Sequence, residues 1–168
     1  FRRVLFRSVE SHNLDLYLSA PDTVRTLYAR YAAGHSAAVC EGAMGFYDGQ
    51  GLTTRASAWE LADTLTLPVL LVVQPKGVSI TLAAELQGLL QFRTPSHIVG
   101  ILLNDCSESL YKTLRPMLEA NPQISNKMAK QRGREGVNNS RMISYIGGWL
   151  MFCWSGSPKT ARGRSAPV

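Results

Sequence analysis

Between residues 21 and 120 the chain alternates between two hydrophobic rhythms. Val24, Leu27, Tyr28 and Tyr31 fall at i, i+3, i+4 and i+7. That spacing predicts a helix over Pro21 to Ala33, with proline in its first turn and Gly34 at its end. Ser36 to Cys40 is a short run of small and β-branched residues, predicted as a strand. Glu41 to Arg55, carrying Gly42, Gly45, Gly49 and Gly51, is predicted as a glycine-rich loop. Ser57 to Leu65 is predicted helical, with Ser57 as N-cap and Glu60 at capping-box spacing. Pro68 to Val73 and His97 to Leu103 are apolar at every position or nearly so, and are predicted as strands. Between them, Ser79 to Phe92 is predicted as a helix with Ile80, Ala83, Ala84 and Leu90 inward. Ser107 to Glu119 follows as a helix with Leu110, Leu114 and Leu118 on one stripe.

Strands that are apolar on both faces and separated by helices call for a parallel sheet covered on both sides. The expected fold class is therefore α/β, a doubly wound parallel sheet or the greater part of one. Ligands of such sheets bind beyond the carboxyl ends of the strands. The three predicted strands end in Glu41, in Gln74-Pro75-Lys76-Gly77 and in Asn104-Asp105. Polar residues are how any strand ends, but three such endings along one edge favour a ligand face.

Composition narrows the classes. The 168 residues are 45% hydrophobic and 18% charged, a globular balance and room for one domain. Three scattered cysteines, Cys40, Cys106 and Cys153, suit neither a disulfide framework nor a C-x-x-C metal site, and fit a reducing, cytoplasmic setting. No apolar run approaches the roughly 18–20 residues needed to cross a bilayer. The net charge of +6 is unevenly placed. Residues 1–8 carry +3, residues 9–120 carry −4, and residues 121–168 carry +7. The basic excess lies in the ends, so a phosphate-backbone footprint on the fold itself is not expected.

Those ends differ in character from the centre. Arg2 to Ser8 resembles an in-frame translation of a sequencing adapter, and residues 1–8 are read as a non-native leader; a basic amphipathic start is the alternative. No signal-peptide core follows it. Residues 121–168 read as a basic, low-order tail with an apolar patch at Ile143 to Trp154, or as a wrong-frame translation. A tail that binds nucleic acid is the functional alternative.

The chemistry concentrates in Glu41-Gly42-Ala43-Met44-Gly45-Phe46-Tyr47-Asp48-Gly49. Two carboxylates seven residues apart, separated by glycines, can bring acids and backbone amides close to a phosphate. Hard oxygen ligands suit Mg²⁺, which is usually held by one or two carboxylates plus substrate phosphates. A Glu41–Arg55 ion pair and an ordinary Asp48-Gly49 turn would explain the same residues without a ligand.

Val39 to Gly49 resembles the V-E-G-x-M-G-L-[FY]-D-G motif of the cobyrinate a,c-diamide synthases, relatives of dethiobiotin synthetase and the MinD/ParA ATPases. Ser57 to Ala62, Pro68 to Gly77, Gly100 to Asn104 and Ser11 to Asp15 resemble further family segments in the same order. The resemblance spans residues 9 to about 120, which it implies are part of a P-loop NTPase-like nucleotide-binding domain. It implies an ATP- and Mg²⁺-dependent ligase that amidates two carboxylates of cobyrinate or hydrogenobyrinate in cobalamin biosynthesis. Ammonia would come from glutamine through a C-terminal amidotransferase domain, and a homodimer is implied for the full-length enzyme. Glu41 and Asp48 match the family's acidic pair near Mg²⁺ and the transferred phosphoryl group. Gly42, Gly45 and Gly49 match its nucleotide-side glycines, and Asn104 matches the strand-end Asn near the base. Gln74 stands where the family usually has Asp.

The chain holds no G-x-x-x-x-G-K-[ST] loop. It is therefore expected to be a middle piece, inactive alone. Two other classes stand beside the ligase: another MinD/ParA or dethiobiotin synthetase-like ATPase, and a non-enzymatic module with a nucleic-acid-binding tail.

Overall fold

A computed structural model describes residues 11–35, 37–128 and 150–153. The supposed leader at 1–8, Ser36 and all of the tail beyond 128 except 150–153 lie outside the described residues. Among the described residues, five helices and three strands follow one another as α1 (Pro21–Ala32), α2 (Ala58–Leu65), β1 (Val69–Val73), α3 (Ile80–Gln91), β2 (Ile98–Leu103), α4 (Glu108–Glu119), α5 (Pro122–Ser125) and β3 (Leu150–Cys153).

β1 and β2 are parallel, with Leu71 opposite Ile101 and Val73 opposite Leu103. They carry the α/β architecture that the apolar runs predict: a parallel pair joined through α3, which must run back along the sheet. Leu82 and Leu86 of α3, Leu114 and Leu118 of α4, and Ile124 of α5 are buried in one cluster with Val69, Leu71, Val73, Ile98 and Ile101. Ala62 of α2 and Phe46 of the glycine-rich stretch join it. Pleating puts Val69, Leu71 and Val73 on one sheet face, so this cluster is the core of that face.

Local chemistry explains the helix starts. The Ser57 hydroxyl accepts from the Glu60 N–H at the start of α2, and the Glu60 carboxylate accepts from the Ala56 N–H, a capping arrangement. Ser107 caps α4 in the same way, accepting from the Leu110 N–H.

Three expectations are corrected. Residues 37–40 of the predicted strand Ser36 to Cys40 pair with no strand, and Val39 is 63% exposed. The free edge of β1 is instead taken by β3, antiparallel, with Leu71 opposite Met151 and Val72 opposite Leu150. The sheet is thus mixed rather than wholly parallel, in the order β2-β1-β3. On α3 the buried positions are Leu82 and Leu86, while Ile80, in the first turn, is 75% exposed. The i, i+4 pair that meets the sheet is set by how the helix enters from the β1 turn, which periodicity alone does not specify.

Candidate functional site

The carboxyl ends of β1 and β2 meet as the strand pattern predicts. The Asn104 N–H donates to the Val73 carbonyl at 2.7 Å, and the Gln74 side chain donates to the Asp105 carboxylate at 2.6 Å. Asp105 sits at φ +50° and Gly77 at φ +70°, so the chain turns sharply on leaving both strands. Pro75 is fully buried beneath this turn. Cys106, beside Asp105, has its thiol pushed up by burial and by the neighbouring carboxylate, and burial raises the Cys40 thiol. Both shifts favour the thiol over the thiolate.

The glycine-rich stretch is organised around its aromatic residues. Phe46 is buried in the core and its carbonyl accepts from the Trp59 N–H at 3.0 Å. Tyr47 packs against Phe46, Trp59 and Phe92, and its hydroxyl donates to the Leu89 carbonyl at 2.7 Å. Burial pushes the Tyr47 phenol up to about 12, against an opposing pull from Arg93. The Arg93 guanidinium lies 5.5 Å from the ring centres of Trp59 and Phe92 and donates to the Thr54 hydroxyl. This aromatic and arginine clamp was missed from sequence. Its signal was available as two aromatics inside a glycine-rich run, whose only good burial is against other apolar groups.

The glycines have definite local reasons. A side chain on Gly45 would meet the Asp48 carboxylate at 2.1 Å, because Asp48 folds back over the turn closed by its own N–H to the Gly45 carbonyl. A side chain on Gly49 would meet the Arg55 carbonyl at 2.1 Å, since residues 49–55 close on themselves through Gln50 N–H to Arg55 O.

The structure does not gather the sequence-predicted residues into one cluster. Tyr47 reaches the last turn of α3, which lies at the start of β2, whereas Asn104 lies beyond the end of β2. Tyr47 thus packs at the end of α3 that leads into β2, and not against the turn that carries Asn104. Glu41 and Asp48 are both exposed, and among the described residues neither forms an ion pair; the Glu41–Arg55 pair weighed above is not formed. Among the described residues no group of three or more His, Cys, Asp and Glu side chains could hold a metal ion. The donor chemistry still fits Mg²⁺ in one respect: two free carboxylates on glycine-rich backbone suit a cation that takes most of its ligands from water and phosphate. No helix among the described residues is long and apolar enough to cross a membrane.

A parallel strand pair with helices packed on it is consistent with a P-loop NTPase-like domain. The family model for the phage terminase large subunit gpA, ATPase domain, matches residues 71–168, more than half of the chain. Cobyrinate a,c-diamide synthase from Clostridium acetobutylicum is 42% identical over 109 residues, which are 65% of this chain and 24% of that protein. The enzyme of the same name from Clostridium tetani is 44% identical over 111 residues, 66% of this chain and 25% of that protein. That from Salmonella typhimurium is 34% identical over 113 residues, again 25% of its own length. The chain thus belongs, over 71–168, to the terminase gpA ATPase-domain family, and over about 65% of its length it is kin to the cobyrinate a,c-diamide synthases. It spans about a quarter of the length of those curated relatives. No solved structure matches it.

Proposed function

We propose that this chain is part of the nucleotide-binding domain of a ligase that amidates a cobyrinate-type corrin in cobalamin biosynthesis, using ATP and glutamine. In this reading the domain is a doubly wound P-loop NTPase-like unit of which the chain is an incomplete part, working in the cytoplasm. The observation that carries it is the kinship with diamide synthases at 30–44% identity, together with the Glu41 to Gly49 motif. Glu41 and Asp48 would hold Mg²⁺, which supplies charge neutralisation for phosphoryl transfer to the substrate carboxylate. Gly42, Gly45 and Gly49 would lie on the nucleotide side of the domain, and Asn104 would face the base.

The test is a graft. Residues 39–104 replace the corresponding segment of the Clostridium acetobutylicum enzyme, and conversion of corrin carboxylate to amide is followed by mass spectrometry with ATP and glutamine. Retained turnover supports the reading. A folded but inactive graft counts against it.

The terminase match favours a second reading, an ATPase module acting on DNA. The +7 charge of residues 121–168 suits it. Retention of the full chain on duplex DNA at physiological salt would raise this reading above the ligase.

A further inference from the structure

The link from β2 to α4 is tied down at both ends. On the β2 side the Asn104 N–H donates to the Val73 carbonyl at 2.7 Å, and on the α4 side the Ser107 hydroxyl accepts from the Leu110 N–H at 3.2 Å. Between them stands Asp105 at φ +50°, a left-handed conformation that few residues other than glycine adopt and that Asp tolerates better than most. The Gln74 side chain reaches across from the end of β1 and donates to the Asp105 carboxylate at 2.6 Å. We propose that Gln74 and Asp105 are positioning residues for Asn104. The bond between them fixes the direction in which the Asn104 side chain leaves the sheet, and with it, on the ligase reading that this rests on, the preference for one nucleotide base.

With both flanks of the link held, a change in the Asp105 dihedrals must be taken up by its neighbours, and Asn104 is the neighbour on the sheet side. Gln74 controls that one residue. An ionised carboxylate only accepts, so its partner has to donate, and the Gln amide does so. A carboxylate at 74 would instead repel Asp105. The donor is itself held: Pro75 is fully buried, and the Lys76 N–H donates to the Gln74 carbonyl at 2.8 Å. Gln74 and Asp105 are both exposed, where such pairs add little to stability, so the effect of this one is on geometry. Geometry is what Asn104 needs. Its amide carries a donor beside an acceptor, the complement of N6 and N7 of adenine, whereas guanine presents two acceptors there. A two-bond contact of that kind holds only while the side chain keeps its angle.

Gln74→Glu keeps the length of the side chain and replaces the donor by a second carboxylate. In the full chain it should speed hydrogen exchange at the Asn104 amide by about tenfold, while Leu71 and Val72 stay protected. The reversed pair, Gln74→Glu/Asp105→Asn, again sets a donor against a carboxylate, and Asn also tolerates the left-handed region. It should return Asn104 to the parent rate. Function is read in the graft extended to Ser107, so that Asp105 travels with Gln74. There Gln74→Glu should lower the ratio of kcat/KM for ATP to that for GTP by about tenfold at an unchanged melting temperature. The reversed pair should restore the ratio. Parent-like exchange at Asn104 in Gln74→Glu overturns the lock, whatever the graft does. Faster exchange with an unchanged base preference overturns the positioning role, and so does a reversed pair that rescues neither readout. A graft inactive before any substitution counts against the ligase reading, and the exchange rates still decide the lock.

Discussion

Tyr47 shows how a residue inside a motif can be structural while its neighbours are free for chemistry. Its hydroxyl donates to the Leu89 carbonyl and its ring fills a site among Phe46, Trp59 and Phe92. Tyr47→Phe should lower stability by about 1 kcal/mol, the usual net value of one such bond, in urea titrations. The pH dependence has a definite sign. Burial raises the folded-state phenol to about 12 from its ordinary 10, so the unfolded chain ionises first. The stabilisation is present below pH 10 and is lost as pH rises towards 12. Wild-type stability should therefore fall more steeply over that window than that of Tyr47→Phe, and equal slopes would show that the phenol is not held neutral. The two motif glycines should also separate. Gly49→Ala drives a methyl into the Arg55 and Thr53 carbonyls, which are backbone, and should cost about 1–3 kcal/mol. Gly45→Ala meets only the Asp48 carboxylate, which can rotate away. Thermal melts should rank Gly49→Ala well below Gly45→Ala. Glu41→Gln and Asp48→Asn belong to the other category. Both side chains are exposed and outside any ion pair among the described residues, so neither substitution has much to destabilise. In the grafted enzyme each should reduce kcat on the order of 10²-fold with little change in melting temperature. A melting shift with unchanged turnover would remove them from the catalytic reading.

Elements were legible in proportion to how local their signals are. α1, α2 and α4 carry one apolar stripe each, and α2 and α4 also a serine cap, so periodicity and capping chemistry located them within a residue or two. β1 and β2 are short runs of Val, Leu and Ile whose burial needs no partner information to foresee. Residues 37–40 and β3 failed for the opposite reason. Which segment holds the edge of β1 depends on pairing across some eighty positions, and Met151 opposite Leu71 has no local signature. Among site residues, Asn104 at a strand end was legible because the strand was. The seat of Tyr47 was not, because it rests on its hydroxyl reaching Leu89 in α3, forty-two positions away. The α2 cap gives a prediction at this scale. Ser57 is 2% exposed and accepts from the Glu60 N–H, so Ser57→Ala leaves a part-buried donor without its acceptor. It should cost about 1–2 kcal/mol. Ser107→Ala, at the exposed start of α4, should cost less. Equal losses in denaturant titration would mean that burial adds nothing to the cap.

For the whole molecule, the question is whether the described fold can hold a nucleotide by itself. ATP affinity in P-loop domains comes chiefly from a loop whose backbone amides and lysine wrap the phosphates. This chain carries no G-x-x-x-x-G-K-[ST] segment, and its centre, residues 9–120, has a net charge of −4. Several charge-assisted hydrogen bonds, each worth roughly 1.5–3 kcal/mol, are therefore missing from the largest anionic part of the ligand. The strand edge does not replace them: Lys76 is the one cation within the turn after β1, and Asp105, beside Asn104, repels phosphate. Losing even three such bonds shifts a micromolar dissociation constant beyond the millimolar range, because each 1.4 kcal/mol is tenfold. Titration calorimetry of the full chain with ATP and Mg²⁺ should accordingly show no binding at micromolar concentrations. The same experiment on the grafted enzyme, where the relative supplies the rest of its domain, should show binding. Micromolar affinity in the chain alone would mean that a phosphate site exists in it without a P-loop, and would move the Glu41 motif from one half of a site to the whole of it.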